Sequence, residues 1–200
     1  MAQIRDVTRQ QDKLRFNYNI ERLGEILAIE AGKFLQYRKT VVTTPFGQAE
    51  LNVLETQPIL YAIVRAGVQL QNGVRRIFDE ASCGFCTCVK NQDGTRSTQL
   101  HQSYDVNGKT VVISDPLMTT GIAMSNTIAE IRKCGKPLSI IILNVISTPL
   151  ALENLKHGED ADLLTVLTCA IDDFTQGIRG TIPGLGDAGD LSFGVGLPRY

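Results

Sequence analysis

Segment 111–135 (VVISDPLMTTGIAMSNTIAEIRKCG) combines residue types that could hold a phosphorylated sugar. An apolar strand ends at Asp115, and Gly121 opens a predicted helix after a short turn that contains Thr119 and Thr120. The free N–H groups of such a turn, together with the helix dipole, favour an anion. A carboxylate at the strand end can accept hydrogen bonds from two sugar hydroxyls. The segment therefore predicts a ribose 5-phosphate site, and an ordinary capped helix start is the alternative.

The C-terminal segment 183–190 (PGLGDAGD) is a glycine-rich turn. Its glycines match the G-x-G-x-x-G pattern of dinucleotide sites, but too few residues follow Gly189 to build the βαβ unit that such a site requires. A rigid turn can instead present backbone donors and acceptors to a flat ring. A pyrimidine edge with carbonyl, N–H and carbonyl needs donor, acceptor and donor in return, and an amino group there would leave a buried polar group unpaired. The turn predicts a pyrimidine site, with Asp187 available to the ribose or to a metal-bound water.

A third signal is Arg65-Ala66-Gly67, which directly follows the apolar run at 59–64. Arginine binds phosphate oxygens in a bidentate manner, so a charge at this strand end favours a polyphosphate. A surface arginine in a turn is the alternative.

Composition excludes several classes of protein. Hydrophobic residues make up 43% of the 200 residues and charged residues 20%, which excludes wholesale disorder. A net charge of -1 gives no global attraction to nucleic acid or to an anionic membrane. The longest apolar stretch, 138–146, is too short to cross a bilayer, and the polar N-terminus lacks a signal-peptide core. We expect a cytoplasmic protein.

The five cysteines and two histidines suggest no other chemistry. Cys83, Cys86 and Cys88 have no second C-x-x-C to complete a zinc site, so small apolar strand residues are favoured over metal ligands. His101 and His157 lie outside every motif, which argues against a Ser/His or Cys/His hydrolase.

Alternating apolar runs predict one α/β domain over residues 1–200. A polar arm at 1–16 precedes a helix at 19–37, for which Asn17 or Asn19 is available as N-cap, and a β-hairpin at 39–54 follows. Segment 90–109 is long and polar, which favours either a flexible flap over a site or an exposed hairpin. The predicted strands are 59–64, 83–89, 110–114, 138–146 and 163–169, and the predicted helices that alternate with them are 73–80, 122–134 and 149–156. Ligands of such sheets lie beyond the carboxyl ends of the strands.

The three motifs, in this order and at these separations, make the chain resemble the uracil phosphoribosyltransferases over most of residues 5–194. PGLGDAGD is the most specific of them. The resemblance implies a type I phosphoribosyltransferase fold, with a mostly parallel sheet and helices on both faces. It also implies the reaction of uracil with 5-phosphoribosyl diphosphate (PRPP) to UMP and pyrophosphate, with Mg²⁺ carried by PRPP and held in part through Asp187. A homo-oligomer, a dimer or larger, is expected, with the hairpin and the N-terminal arm as contacts.

The resemblance also implies the roles of particular residues. Arg65, Asp115 and Asp187 would be catalytic, with Arg65 on the pyrophosphate, Asp115 on the ribose hydroxyls and Asp187 facing PRPP. Lys90 would add a charge for PRPP. The base would be read by Thr181, Gly186, Asp187 and Ala188. The 5-phosphate would be wrapped by Pro116, Leu117, Met118, Thr119, Thr120, Gly121, Ile122 and Ala123.

The chain departs from the family pattern at these same segments. Ile122 and Ala123 replace the usual Gly-Ser after Gly121, Lys90 replaces an arginine, and Gly180-Thr181 stand where the family has Tyr-Ile. A lost hydrogen bond to a charged group costs ~1.5–3 kcal/mol, so PRPP is expected to bind more weakly. Two hypotheses follow: an active uracil phosphoribosyltransferase, or a catalytically weak paralogue that binds PRPP or a nucleotide in a regulatory role. A related transferase with another base is the remaining alternative.

Overall fold

A computed structural model describes residues 1–90, 96–174 and 180–195, without the side chains of residues 90 and 96. The helices are α1 (Ala2–Arg5), α2 (Lys13–Gly32), α3 (Gly67–Ile77), α4 (Ile122–Arg132), α5 (Pro149–Lys156) and α6 (Ala188–Phe193). The strands are β1 (Tyr37–Thr44), β2 (Gly47–Leu54), β3 (Ile59–Val64), β4 (Cys83–Lys90), β5 (Arg96–Leu100), β6 (Thr110–Ser114), β7 (Leu117–Met118), β8 (Ser139–Ser147) and β9 (Leu164–Ile171).

Seven strands form one sheet, in which β5, β4, β3, β6 and β8 lie side by side and β9 pairs with the far edge of β8. Every pairing is parallel except that of β4 with β5. The chain leaves β6 at Asp115 and pairs again with β8 as β7, while the Pro116 carbonyl accepts the N–H groups of Val145 and Ile146. The loop that follows therefore starts at the carboxyl edge of the sheet.

Alternate residues of the central strands enter two separate apolar cores. Leu60, Val112 and Ile141 pack with buried residues of α2 and α3 on one face of the sheet. Tyr61, Ile113 and Ile142 pack with residues of α4 and α5 on the other face. The expected α/β fold with helices on both faces is confirmed.

Element boundaries follow the sequence closely, with two corrections. β3, β6 and α5 have the predicted bounds, and β1 and β2 pair as the predicted hairpin. α3 begins at Gly67 rather than at position 73, because its buried positions 67, 70, 71 and 74 continue the helical period through two glycines. α2 begins at Lys13 with Asp12 as its N-cap, whose side chain accepts from the Arg15 N–H, so neither Asn17 nor Asn19 is the cap. It ends at Gly32 rather than at position 37, because the chain closes there in i→i−3 turns and enters β1 at Tyr37.

Two segments expected to extend from the domain are anchored to it. Ile4 and Phe16, in the predicted arm at 1–16, are buried in the core. In segment 90–109, β5 pairs with β4 and Val106 is fully buried, so its part after residue 95 is a sheet edge rather than a free flap. The tip at 91–95 lies outside the described residues. No helix in the described part of the chain is long and apolar enough to span a membrane.

Candidate active site

The turn between β7 and α4 offers unpaired N–H groups. Gly121 has φ +74°, which a residue without a Cβ adopts without strain, and α4 starts at the next residue with no side-chain N-cap. Among the described residues, none accepts a hydrogen bond from the N–H groups of Thr119, Thr120 or Gly121. The first turn of α4 also carries no acidic residue, so the turn is suited to an anion.

Three side chains from β8 and α5 hold the carbonyl groups of this loop. The Asn144 amide donates to the Asp115 carbonyl at 2.7 Å. The Thr148 hydroxyl donates to the Thr119 carbonyl at 2.6 Å, and the Asn154 amide donates to the Thr120 carbonyl at 3.0 Å. Sequence reasoning missed all three residues; a buried polar residue within the apolar run 138–146 was the available signal for Asn144.

Asp115 is half-buried at the end of β6. Burial raises the pKa of its carboxyl group to about 7, and a hydrogen bond from the Leu117 N–H opposes this rise. Burial deprives this carboxylate of hydrogen bonds from water. Hydroxyl groups of a ligand can replace them by donating to its oxygens.

Asp172 anchors the start of the glycine-rich turn through hydrogen bonds. This carboxylate is 6% exposed and accepts hydrogen bonds from the Gly184 N–H at 2.7 Å and the Thr181 hydroxyl at 3.4 Å. Arg5 adds two more hydrogen bonds, which lower the pKa of Asp172, and also donates to the Gly184 carbonyl at 3.0 Å. Asp187 then caps α6 by accepting the Asp190 N–H.

The loop after β6 and the glycine-rich turn face each other across a cleft of about 300 Å³. Asp115 and Asp187 both line this cleft. The structure thus brings together the two segments that the sequence assigned to a sugar phosphate and to a base. The other lining residues are Ala66, Leu117, Thr119, Gly180, Gly186, Ala188 and Gly189.

Several residues assigned to the site lie beside the cleft rather than in it. Pro116 and Met118 are buried, and Thr181 is buried against Asp172. Thr120, Gly121, Ile122 and Ala123 form the turn and the start of α4. Ile122 is 46% exposed and presents an apolar side chain there. The side chain of residue 90 lies outside the described part of the chain.

Arg65 follows β3 through a cis peptide bond with Val64. Its guanidinium donates to the Asp190 carboxylate at 2.7 Å and to the Gly194 carbonyl at 3.3 Å. It also lies close to Gly189, where an added Cβ would be 3.4 Å from Arg65 Nη2 and 3.2 Å from Asp187 Oδ1. The cation therefore lies at the edge of the cleft on the side of the glycine-rich turn.

The uracil phosphoribosyltransferase family model matches residues 1–195. The chain belongs to the uracil phosphoribosyltransferase family. A uracil phosphoribosyltransferase of Porphyromonas gingivalis is 35% identical over 98% of this chain and 93% of its own length. A uracil phosphoribosyltransferase of Methanothermobacter thermautotrophicus is 29% identical over 92% of this chain and 85% of its own length.

Solved structures agree with this family assignment at the level of the fold. A protein from Aquifex aeolicus superimposes with a TM-score of 0.83 at 26% identity, covering 94% of this chain and 91% of its own. A purine phosphoribosyltransferase from Pyrococcus horikoshii shares the fold with a TM-score of 0.50 at 14% identity, covering 80% of this chain and 84% of its own. The fold is that of the phosphoribosyltransferases.

Proposed function

We propose that this protein is a uracil phosphoribosyltransferase that converts uracil and PRPP to UMP and pyrophosphate. The observation that carries the proposal is the cleft in which the loop after Asp115 faces the Gly186–Gly189 turn. Family membership and the relatives named for this activity support it. A cleft of about 300 Å³ is at the lower end of small-molecule sites, and its open face leaves room for a pyrophosphate.

On the PRPP side, the unpaired N–H groups from Thr119 to Gly121 take the 5-phosphate. The Asp115 carboxylate accepts hydrogen bonds from the ribose hydroxyls, and these replace the hydrogen bonds to water that it loses on burial. Arg65 binds the pyrophosphate by exchanging its exposed ion pair with Asp190 for one with the ligand. We assign Lys90 to the same anion from its position in the sequence alone.

On the base side, the backbone of the turn reads the uracil edge. Gly186 and Ala188 line the cleft and supply backbone donors and acceptors. Thr181 is assigned to the base side by the family resemblance alone, and any contact would be made by its backbone, because its hydroxyl donates to Asp172 and its side chain lies outside the cleft. Cytosine would present an amino group to a donor, and the unpaired polar groups would disfavour its binding.

The reaction needs alignment and charge stabilisation more than a strong nucleophile. The C–N bond from uracil N1 to the ribose forms as the C–O bond to pyrophosphate breaks, through a loosely bonded ribosyl ring that carries positive charge, and the N1 proton of uracil is released to solvent. The carboxylates of Asp115 and Asp187, which both line the cleft, stabilise that charge. Holding both substrates in one cleft removes much of the entropic barrier.

Mg²⁺ fits this site as a companion of PRPP. Within the described residues, no cluster of three or more His, Cys, Asp or Glu could hold a metal alone. Mg²⁺ commonly binds through one or two carboxylates plus substrate phosphates, and the exposed Asp187 would supply such a carboxylate. The cation would neutralise charge on the departing pyrophosphate.

We further propose that the protein acts as a homo-oligomer in the cytoplasm. The β1–β2 hairpin exposes Val41, Phe46 and Leu51, which a second copy could cover. Sedimentation of the purified protein tests the homo-oligomer, and a monomer at micromolar concentration would contradict it. The cytoplasmic location is supported by the five free cysteines of the protein, which suit a reducing compartment.

A regulatory paralogue is the second candidate function, favoured by Ile122, an exposed apolar residue at the start of α4. Purified protein with PRPP, Mg²⁺ and labelled uracil distinguishes the two, with cytosine, thymine and hypoxanthine in parallel. We expect UMP from uracil and no product from the other bases. PRPP binding without any UMP would select the regulator, and product from another base only would select a related transferase.

A further inference from the structure

The loop that offers its N–H groups to phosphate is held from behind by side chains. Thr148 donates to the Thr119 carbonyl at 2.6 Å and Asn154 donates to the next carbonyl, that of Thr120, at 3.0 Å. Both donors belong to α5 and its N-cap: Thr148 is the N-cap, and Asn154 lies in the second half of the helix. Two consecutive peptide groups are thus fixed from one direction.

The geometry of a trans peptide turns these contacts into an orientation. The C=O of one residue and the N–H of the next are coplanar and point in opposite directions. Holding the Thr119 carbonyl therefore aims the Thr120 N–H away from α5, and holding the Thr120 carbonyl does the same for the Gly121 N–H. Neither N–H group has an acceptor among the described residues.

The backbone of this loop is intrinsically flexible, so hydrogen bonds to its carbonyl groups matter for the direction of its N–H groups. Gly121 gives the backbone a wide choice of conformations, and Ala123 supplies no hydroxyl group that could compensate for a misdirected amide. Donors that are fixed before the ligand arrives bind it without paying for their ordering. Asn144 is itself fixed by a hydrogen bond from Thr168 at 3.0 Å and secures the start of the same loop at the Asp115 carbonyl.

We propose that Thr148 and Asn154 are positioning residues that orient the Thr120 and Gly121 amides toward the 5-phosphate of the substrate. This inference rests on the proposed phosphoribosyl transfer. Its specific consequence is that the two side chains act on the sugar phosphate and leave the affinity for the base unchanged.

The test compares Asn154→Leu and Thr148→Val with wild type. We expect the Kd of ribose 5-phosphate, measured by calorimetry, and the KM for PRPP to rise about tenfold in each variant. The KM for uracil and kcat at saturating PRPP should change less than twofold. Glu153→Gln, a neighbouring change on the exposed face of α5 that alters only the contact with His157, is the matched control and should keep wild-type constants.

The Thr148 hydroxyl also accepts the Ala151 N–H, so its loss removes a helix cap. Thr148→Ser retains both hydrogen bonds and should restore the PRPP affinity and the melting temperature together. Asn154 is exposed and caps nothing, so Asn154→Leu should leave the melting temperature unchanged. Unaltered ribose 5-phosphate binding in Asn154→Leu, or equal losses for PRPP and uracil, would overturn the inference. Failure of the wild-type protein to bind PRPP would instead overturn the proposed function.

Discussion

Arg5 donates to both carboxylate oxygens of Asp172, at 2.6 and 2.8 Å, across a sequence separation of 167 residues. Asp172 is 6% exposed and holds the Gly184 N–H, so this ion pair joins the N-terminal segment to the turn proposed to read the base. Removing one member of such a pair leaves a buried charge without its partner. The N-terminal segment is thereby part of the site's support.

Replacing Arg5 by Leu should lower the free energy of unfolding by about 3 kcal/mol, because the Asp172 carboxylate would keep its burial and lose its cation. The KM for uracil should rise more than the KM for PRPP. Urea unfolding and steady-state kinetics measure the two effects. Arg9→Leu breaks only an exposed contact with Asp6 and should behave as wild type. Equal stability of the two variants would contradict this account of Asp172.

Gly184 is the position of the turn at which a side chain is least tolerable. It has φ +67°, and an added Cβ would be 2.2 Å from the Thr181 carbonyl oxygen. Gly184→Ala should therefore displace the turn and abolish most uracil binding. Gly108 has φ +66° with open space around it, so Gly108→Ala imposes the same backbone strain of about 1 kcal/mol without the clash. Calorimetric titration with uracil, in the presence of pyrophosphate and ribose 5-phosphate, should give a much weaker affinity for Gly184→Ala than for Gly108→Ala. Similar uracil affinities in the two variants would exclude a steric role for the Gly184 position.

The sheet and the two segments that line the cleft could be predicted, because each is encoded by a pattern within a short stretch of sequence. The apolar runs of β3 and β6 end at Arg65 and Asp115, and parallel strands bring such ends to one edge. The glycine pattern of 183–190 likewise indicated a backbone turn. Residues 67–72 of α3 were missed, since glycines at 67 and 73 resemble turn residues until the helix is seen packed.

The supports of the site could not be predicted, because each contact joins distant parts of the chain. Asn144 and Asn154 contact loop carbonyls 29 and 34 residues away, and nothing local distinguishes them from other polar residues. Arg5 lies in a segment whose sequence predicts only a polar arm, for the same reason. Side chains that bind a ligand sit in recognisable motifs, whereas those that hold the motif in place are identified only by tertiary contacts.

Asp115→Asn should reduce turnover strongly while the fold stays intact, because an amide accepts the ribose hydroxyls less well than a carboxylate. A loss of two or more orders of magnitude in kcat/KM for PRPP is expected. Circular dichroism and the melting temperature check the fold. Wild-type kinetics in this variant would remove Asp115 from the site.

The same variant tests the raised pKa of Asp115 through stability. With a pKa of about 7 in the folded protein and 3.8 as its ordinary value, the folded state holds a proton that the unfolded state has released between these two values. The free energy of unfolding therefore falls as pH rises from about 4 to 7, by ~1 kcal/mol per pH unit from this group, and is level above that window. Asp115→Asn should remove this slope and be more stable than wild type at pH 8. Urea unfolding at pH 5, 6, 7 and 8 measures the difference, and parallel pH profiles would refute the raised pKa.

Ala123→Ser should tighten PRPP binding. Position 123 lies in the first turn of α4, and its backbone N–H has no acceptor among the described residues, so an added hydroxyl would be directed at the same anion. A hydrogen bond to a charged group contributes ~1.5–3 kcal/mol, which corresponds to a Kd at least about tenfold lower. Ala129→Ser, an exposed position on the same helix, controls for the effect of serine on α4 itself. Calorimetric Kd values for PRPP decide the question, and binding that is unchanged or weaker in Ala123→Ser would mean that this part of the helix does not face the phosphate.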